Sequence, residues 1–489
     1  MGRFGFFERL SSAPLAATFG DFILLPGKAK VEPSEVDLST RLTPEIRLSL
    51  PMLSSPMDTV TEVDMAVGMA RLGGLGVLHR NCSLEEQVSM ARAVKRAESF
   101  IIRNVVTIAP DATVAEAREL MRSRGISGLP VVEAGRLLGI VTRRDVSFAP
   151  DDGARVREVM TREPVTVGPD VTLDQARDLM WEHRIEKLPV VDSEGRLLGL
   201  ITARDIAAME SRPNSTRGPE GRLRVAAAVS PFDVERARAL DRWVDALVID
   251  VAHFHNENVI SATARLAKEV SAELIVGNVG TREAAVEAIT RVEEARALRV
   301  GVGSGSICTT GEVTGVAAPT LFAVAQAADA VMEHGGGVSV IADGGIRGPG
   351  EAAKALAAGA SAVMLGYALA GTKEAPGQPV ILGGRMYKVY RGMGSPSARR
   401  RRYALDRYSR PSKEISEGIE GLVPYRGDLE TVVRKLAAGL RAAMGYAGAS
   451  SIPELWRVAR FAAVTQSGLR EIAPHDVRPI EWALERGWT

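Results

Sequence analysis

The sequence predicts an α/β protein built on a (β/α)8 TIM barrel, with a second, duplicated α/β module inserted into it. Three observations carry this expectation. Eight short apolar runs alternate with helical stretches, the signature of parallel strands joined by helical crossovers. The middle of the chain repeats itself. Residues with chemistry to offer recur at the ends of the apolar runs, the rim where barrels of this kind gather their active sites.

The runs fall at 51–55, 74–79, 223–229, 246–251, 274–278, 298–302, 338–342 and 362–366. Helical patterns separate most of them, for example over 282–292 and 350–358. A capping box, Ser83 with Glu86 three residues on, opens the helix after the second run. The repeat follows. Thr107-Ile108-Ala109-Pro110-Asp111-Ala112-Thr113 returns as Thr166-Val167-Gly168-Pro169-Asp170-Val171-Thr172, an offset of 59 residues. Each copy runs on into a helical pattern (115–122, 174–181), a Leu-Pro-Val-Val strand (129–132, 188–191) and an Arg-Leu-Leu-Gly stretch that ends in Asp145 or Asp205. Those last stretches are offset by 60, so one extra residue sits in a turn of the second copy. Two copies are too few for a solenoid and read as a pair packed on each other. The expected organisation is barrel over 1–99, the pair over 100–212 (copies about 100–152 and 153–212), and the rest of the barrel over 213–489. The segment 211–221, with Pro213, Asn214 and Pro219, reads as the return linker.

Composition excludes several functions. Sixty-one basic and 60 acidic residues leave a net charge of +1, with no global attraction to nucleic acid or a membrane surface. No stretch reaches the length of a membrane span. Met1-Gly2-Arg3-Phe4-Gly5-Phe6-Phe7 is too short for a signal sequence, and Glu8 and Arg9 follow at once. Two cysteines do not make a disulfide framework and suit a reducing compartment; the expected location is the cytoplasm.

One of those cysteines, Cys308, lies in Gly301-Val302-Gly303-Ser304-Gly305-Ser306-Ile307-Cys308-Thr309-Thr310. A thiolate is a strong nucleophile, and glycine turns let backbone approach a ligand closely. The loop follows the sixth run. Asp250 ends the fourth, Asn278 the fifth, Asp343-Gly344-Gly345 follows the seventh and Gly366 ends the eighth. One thiol, two acids, an amide and many glycines on one rim point to catalysis. Cys82 reads instead as a buried thiol near a strand end. His253 and His255 lie two apart in a loop, weak grounds for zinc. Arg399-Arg400-Arg401-Arg402 reads as a solvated or cofactor-facing run.

At these residues the chain resembles the IMP dehydrogenase / GMP reductase family over nearly its whole length, and the repeated pair resembles a tandem CBS (Bateman) module. The motifs are Ser54-Ser55-Pro56-Met57-Asp58-Thr59-Val60, the Cys308 loop, Ile341-Ala342-Asp343-Gly344-Gly345-Ile346-Arg347, Tyr390-Arg391-Gly392-Met393-Gly394-Ser395 and Asp406-Arg407-Tyr408. The resemblance implies NAD-dependent oxidation of IMP to XMP in guanine nucleotide synthesis. Cys308 would attack the purine and water would release the product. It implies Thr310 as a helper in water activation, and Arg407 with Tyr408, on a flap over about 396–424, as the base. It implies nucleotide binding by Ser55, Met57, Asn278, Ser306, Asp343, Gly345, Gly366, Tyr390, Gly392, Met393, Gly394 and Glu417, and cofactor binding by Asp250. It implies K⁺ on the carbonyls of Gly303, Gly305 and Cys308, completed by Glu471 of a neighbouring subunit in a homotetramer or homo-octamer. In the CBS pair, Thr107, Thr142, Asp145, Thr166, Thr202 and Asp205 would grip adenine or guanine nucleotides.

The chain departs from the family pattern at three positions. Tyr367 stands where a phosphate-binding serine is usual, Phe254 where glycine is usual, and Gly311 where Arg or Gln is common. Two rival readings follow: an NADPH-dependent GMP reductase, and a diverged nucleotide sensor without turnover.

Overall fold

The structure is a computed structural model that describes residues 11–98, 100–219, 221–401, 403 and 415–477. It divides into two compact units, residues 1–94 with 224–489, and residues 95–223.

In the first unit eight parallel strands close into a barrel: β1 (Met52–Ser54), β2 (Leu75–Leu78), β3 (Ala226–Val229), β4 (Ala246–Ile249), β5 (Glu273–Val279), β6 (Ala295–Val300), β7 (Ser339–Asp343) and β8 (Ala362–Leu365). Closure runs through the parallel pairing of β8 with β1 and of β2 with β3. The sequence reading of the (β/α)8 core holds, strand for strand. β6 starts three residues earlier than the apolar run suggested: Ala295 and Ala297 are both buried, with Arg296 between them. Small residues let eight strands converge: Ala226, Ala246, Ala297 and Ala362 join Leu53, Leu75, Val77, Val248, Ile275, Ile341 and Met364 in the interior. Each fully buried Leu or Ile there contributes about 1.5–3 kcal/mol.

A short antiparallel pair, Thr40–Arg41 with Arg47–Leu48, adds Leu42, Ile46 and Leu48 to the same core. Glu45 N donates to Glu273 at the start of β5 (3.1 Å), and Ser339 at the start of β7 donates to Arg41 O (3.0 Å). This pair therefore seals the amino ends of the strands and leaves the carboxyl ends open. Local caps start the crossover helices. Ser83 and Glu86 exchange bonds of 2.8 and 3.1 Å before Leu84–Ala97, Asn256 caps Glu257–Ala267, and Thr281 caps Arg282–Arg291.

The second unit consists of two similar halves. Helix Val114–Arg124 and strands Gly128–Glu133 and Arg136–Thr142 form one; helix Leu173–Glu182 and strands Lys187–Val191 and Leu197–Thr202 form the other. Each has its own core, around Leu129 and Val131 in one and Leu188 and Val190 in the other. The halves exchange bonds between their hairpin turns: Leu137 N donates to Gly195 O (3.0 Å) and Leu197 N to Gly135 O (3.1 Å). The extra residue of the second copy lies in that turn. The first turn is the two-residue Ala134-Gly135, both at positive φ (49° and 83°), whereas the second is longer and closed by Asp192, which accepts from Glu194 N and Arg196 N at 2.9 and 2.8 Å. Glu98 pairs with Arg212 and Arg217, which ties both ends of the unit together.

Candidate active site

The open rim of the barrel holds a cleft of about 550 Å³. Its walls are the loops after β1, β4, β5, β6, β7 and β8, together with residues 18–20, 390 and 392–394 and Glu417. Cys308, Thr310, Asp250, Gly303, Gly305 and every residue expected to bind the nucleotide line it. Arg407 and Tyr408 lie outside the described residues. Glu471 ends an exposed helix, Gln466–Glu471, and is not part of the cleft wall.

The Cys308 loop is shaped by its glycines. Gly301 follows β6 at φ 137°, and a methyl group there would fall 2.1 Å from Asp343 O, so only glycine fits. Beyond it Cys308 N donates to Gly305 O (3.0 Å), and the loop pairs with the segment that carries Glu417: Ile419 N donates to Ile307 O (3.1 Å) and Thr309 N to Glu417 O (3.4 Å). The half-buried thiol donates to Thr310 Oγ1 (3.2 Å), and Thr310 Oγ1 donates to Glu417 Oε2 (2.9 Å). Sulfur, hydroxyl and buried carboxylate thus stand in file, a route for a proton leaving the thiol.

The opposite wall is a buried charged network. Asn278 Nδ2 donates to Asp343 Oδ2 and to Gly301 O, both at 2.8 Å. Arg299 Nε donates to the same Asp343 oxygen (2.8 Å) and its Nη1 to Asp250 Oδ1 (2.9 Å). Arg80 approaches Asp250 Oδ2 at 3.4 Å and donates to its main-chain carbonyl at 3.1 Å. Burial works against the Arg299 charge, but Asp343 and Asp250 outweigh it and hold the guanidinium above its ordinary pKa. Sequence reasoning missed Arg299 and Arg80. The available signal was an arginine inside an apolar strand, one residue before the end of β6, where an unpaired charge cannot stay.

Gly366 and Tyr390 meet at the end of β8. A methyl group on Gly366 would lie 2.8 Å from the Tyr390 hydroxyl, which itself reaches Met57 Sδ at 3.7 Å. Burial pushes the Tyr390 phenol up to about 12, so it stays a hydrogen-bonding group at neutral pH. Tyr367 also lines the cleft, and the Arg426 guanidinium sits 4.7 Å from its ring centroid. Phe254 does not enter the cleft. Its side chain is fully buried, its amide donates to Asn278 O (2.9 Å), and the wall at this point consists of Asp250, Val251 and Ala252. Gly311 lies in the short helix Thr310–Thr314, where its carbonyl accepts from Gly315 N (3.0 Å).

Among the described residues no three His, Cys, Asp or Glu groups cluster as metal ligands. His255 pairs with Glu287 (3.3 Å), and burial together with His255 lowers the His253 pKa. No helix among the described residues is long and apolar enough to cross a membrane.

In the second unit Thr142 N and Oγ1 both donate to Asp145 Oδ2 at 2.7 Å, and Thr202 makes the corresponding bond to Asp205. Thr107 and Thr166 are exposed. The two halves differ beside these groups. Gly128 occupies the first half where Lys187 occupies the second, and the lysine stem lies across Gly128, so that a methyl there would fall 2.7 Å from Lys187 Cε.

A barrel that gathers a thiol, a proton route from it and buried acids in one rim cleft has the architecture of an enzyme. The IMP dehydrogenase / GMP reductase domain model matches residues 16–475. An inosine-5'-monophosphate dehydrogenase of Korarchaeum cryptofilum is 64% identical over 473 residues, covering 97% of this chain and 99% of the relative. Among solved structures, a GMP reductase of Trypanosoma brucei with a cysteine-to-alanine substitution, in complex with guanosine 5'-monophosphate, aligns with a TM-score of 0.81 at 38% identity, covering 96% of this chain and all of the other. A GMP reductase of the same organism in complex with guanosine 5'-triphosphate aligns with a TM-score of 0.72 at 36% identity, covering 94% of this chain and 100% of the other. The chain belongs to the IMP dehydrogenase / GMP reductase family and is an oxidoreductase of that family.

Proposed function

We propose that this protein oxidises IMP to XMP with NAD⁺ through a covalent adduct on Cys308. The observation that carries the reading is the file Cys308–Thr310–Glu417 opening on a cleft whose far wall is Asn278 and Asp343. The thiol proton passes to Thr310 and on to Glu417, and the thiolate forms a bond to C2 of the purine. Asp250 and Ala252 would hold NAD⁺, which would supply the acceptor for the hydride that leaves C2. Thr310, the helper in water activation that the resemblance implies, lies beside the sulfur, where its hydroxyl can orient the water that releases XMP. Arg407 and Tyr408 remain the base that the resemblance implies. Asp343, with Oδ2 held by Arg299 and Asn278, offers Oδ1 to the ribose hydroxyls. The amides around Gly345 and Gly366 suit the phosphate, with the Tyr367 hydroxyl in place of a serine.

The fit to the cofactor rests on the chemistry of the wall. Asp250 is pinned by two arginines, so its acceptor geometry is set before a ligand arrives. K⁺ would rest on the Gly303, Gly305 and Cys308 carbonyls, hard oxygen donors suited to it, with Glu471 of a second copy in a tetramer or octamer. The 95–223 unit is read as a tandem CBS module that binds adenine or guanine nucleotides through Asp145 and Asp205. Its replacement by a short linker should leave turnover within a small factor, and loss of all activity in a folded deletion would refute a purely regulatory role. We place the protein in the cytoplasm.

The reductase reading draws on the likeness to GMP reductases. Incubation with IMP and NAD⁺, with and without K⁺, separates the two. NADH and XMP should form, faster with K⁺. NADPH-dependent consumption of GMP instead, or nucleotide binding with no turnover in either direction, would overturn the proposal.

A further inference from the structure

The described lining of the cleft carries three carboxylates, Asp250, Asp343 and Glu417, and two cations, Arg299 and Arg347. Both cations are already paired. Arg299 is held between Asp250 and Asp343 at 2.9 and 2.8 Å, and Arg347 turns to Glu351 at 3.3 Å with most of its side chain in solvent. A phosphate monoester at Gly345 and Gly366 would bring roughly two more negative charges to this lining. Hydrogen bonds from amides and hydroxyls do not by themselves balance them.

A cation without an acid stands one layer behind the wall. Arg426, half-buried shortly after the strand Glu420–Pro424, places its guanidinium 4.7 Å from the ring centroid of Tyr367. Its stem is fastened. The Arg426 amide donates to Gly371 O (2.8 Å), and a methyl on Gly371 would fall 3.0 Å from Arg426 Cγ and 3.3 Å from Cδ. The stem therefore runs along the short helix Tyr367–Ala370, from its carboxyl end back to its first residue. Apart from that ring, the guanidinium has no side-chain partner among the described residues. Tyr367 itself faces the cleft beside Tyr390, ring centroids 6.5 Å apart.

We propose that Arg426, stacked on Tyr367, is a specificity-determining residue that makes the cleft select a 5'-phosphorylated nucleotide over its nucleoside. The flat guanidinium lies on the ring, which fixes the plane of Tyr367. A cation on the ring face draws electron density from it, so the phenol becomes a stronger donor. The charge also acts on the phosphate through the thickness of a ring rather than through water. A serine in place of Tyr367 could donate a hydrogen bond but would give the arginine no platform. The inference rests on the reading above that seats the phosphate at Gly345 and Gly366.

The test measures dissociation constants for IMP and for inosine by titration calorimetry, in the wild type, Arg426→Gln, Arg426→Lys, Tyr367→Ser and the double variant Arg426→Gln/Tyr367→Ser. Arg426→Gln should weaken IMP by about tenfold and leave inosine unchanged. In turnover the loss should fall on KM rather than kcat, because the phosphate contact is the same before and during the reaction. Arg426→Lys, which keeps a charge but not the flat stack, should weaken IMP by a few-fold with inosine unchanged; it carries the test if Arg426→Gln does not fold. In the Tyr367→Ser background, Arg426→Gln should cost about twofold or less, since the platform is gone. Unchanged IMP affinity in both arginine variants, or equal weakening of IMP and inosine, would overturn the inference. So would the same tenfold loss in the Tyr367→Ser background, which would detach the charge from the ring. A wild type that binds inosine as tightly as IMP would instead remove the reading that seats the phosphate here, and the inference with it.

Discussion

The protein has two cysteines, on the loops after β2 and β6 of the same barrel, and they have opposite fates. Cys82 is 4% exposed; its sulfur reaches the His79 carbonyl at 3.6 Å, and burial pushes its thiol up to about 12. Cys308 is half-buried in a cleft, with a hydroxyl and a carboxylate in line behind it. Both follow a strand at the same rim. The difference is made by the neighbours. After β2 the chain turns at once into a capped helix, and Arg236 donates to the Cys82 carbonyl (3.1 Å), whereas after β6 a glycine loop delays the next long helix, Thr320–Glu333, and keeps the thiol at the surface of the cleft. Position on a barrel rim supplies opportunity, and the loop that follows decides whether a thiol stays open to a ligand.

The largest test of this contrast is Cys308→Ala, expected to lower turnover at least about 1,000-fold. NADH formation should vanish while titration calorimetry still detects IMP binding; loss of binding as well would mean that the loop itself had collapsed. Next is Thr310→Val, which keeps volume but cuts the file between sulfur and Glu417. Turnover should fall by about 100-fold, and an unchanged rate would show that the thiol loses its proton elsewhere.

Alkylation sharpens the contrast without mutation. Iodoacetamide near pH 8 should label Cys308 and spare Cys82, with IMP protecting Cys308; peptide mapping reads both. Labelling of Cys82 in the folded protein would end the contrast. The linkage has a definite sign. The native state keeps the Cys82 proton where the unfolded chain, with a thiol pKa near 9.0, has lost it. This group's contribution to stability is therefore full below that value and is lost as pH rises from there toward 12. Denaturant midpoints in Cys82→Ala should accordingly decline less across that alkaline window than in the wild type. The smallest effect is on activity: Cys82→Ala should leave turnover within about twofold and cost about 1 kcal/mol of stability from lost packing.

Much of this could be read along the chain. Strands β1 to β8 were visible because an enclosed parallel strand is a short apolar run, and their helices because Ser83, Asn256 and Thr281 cap them locally. The duplicated unit was visible because its two halves repeat residue by residue, down to the extra residue at the second hairpin turn. The three-stranded sheet of Val380–Leu382, Arg385–Arg391 and Glu420–Pro424 was not, because its last strand arrives only after a long excursion and carries no alternating pattern of its own.

The sequence alone determined the barrel, the duplication and the candidate nucleophile, since each depends on periodicity or on residues close together in the chain. Only the tertiary structure decided which acid stands in line with the sulfur, Thr310 and Glu417 being 107 positions apart, and which carboxylate seats Arg391, 333 positions from Asp58. It also sent Phe254 into the core and left Tyr367 on the cleft wall. The reason is physical: a charge or a bulky ring can be placed only by everything that surrounds it once water is excluded, and those surroundings are assembled from segments that no local pattern connects.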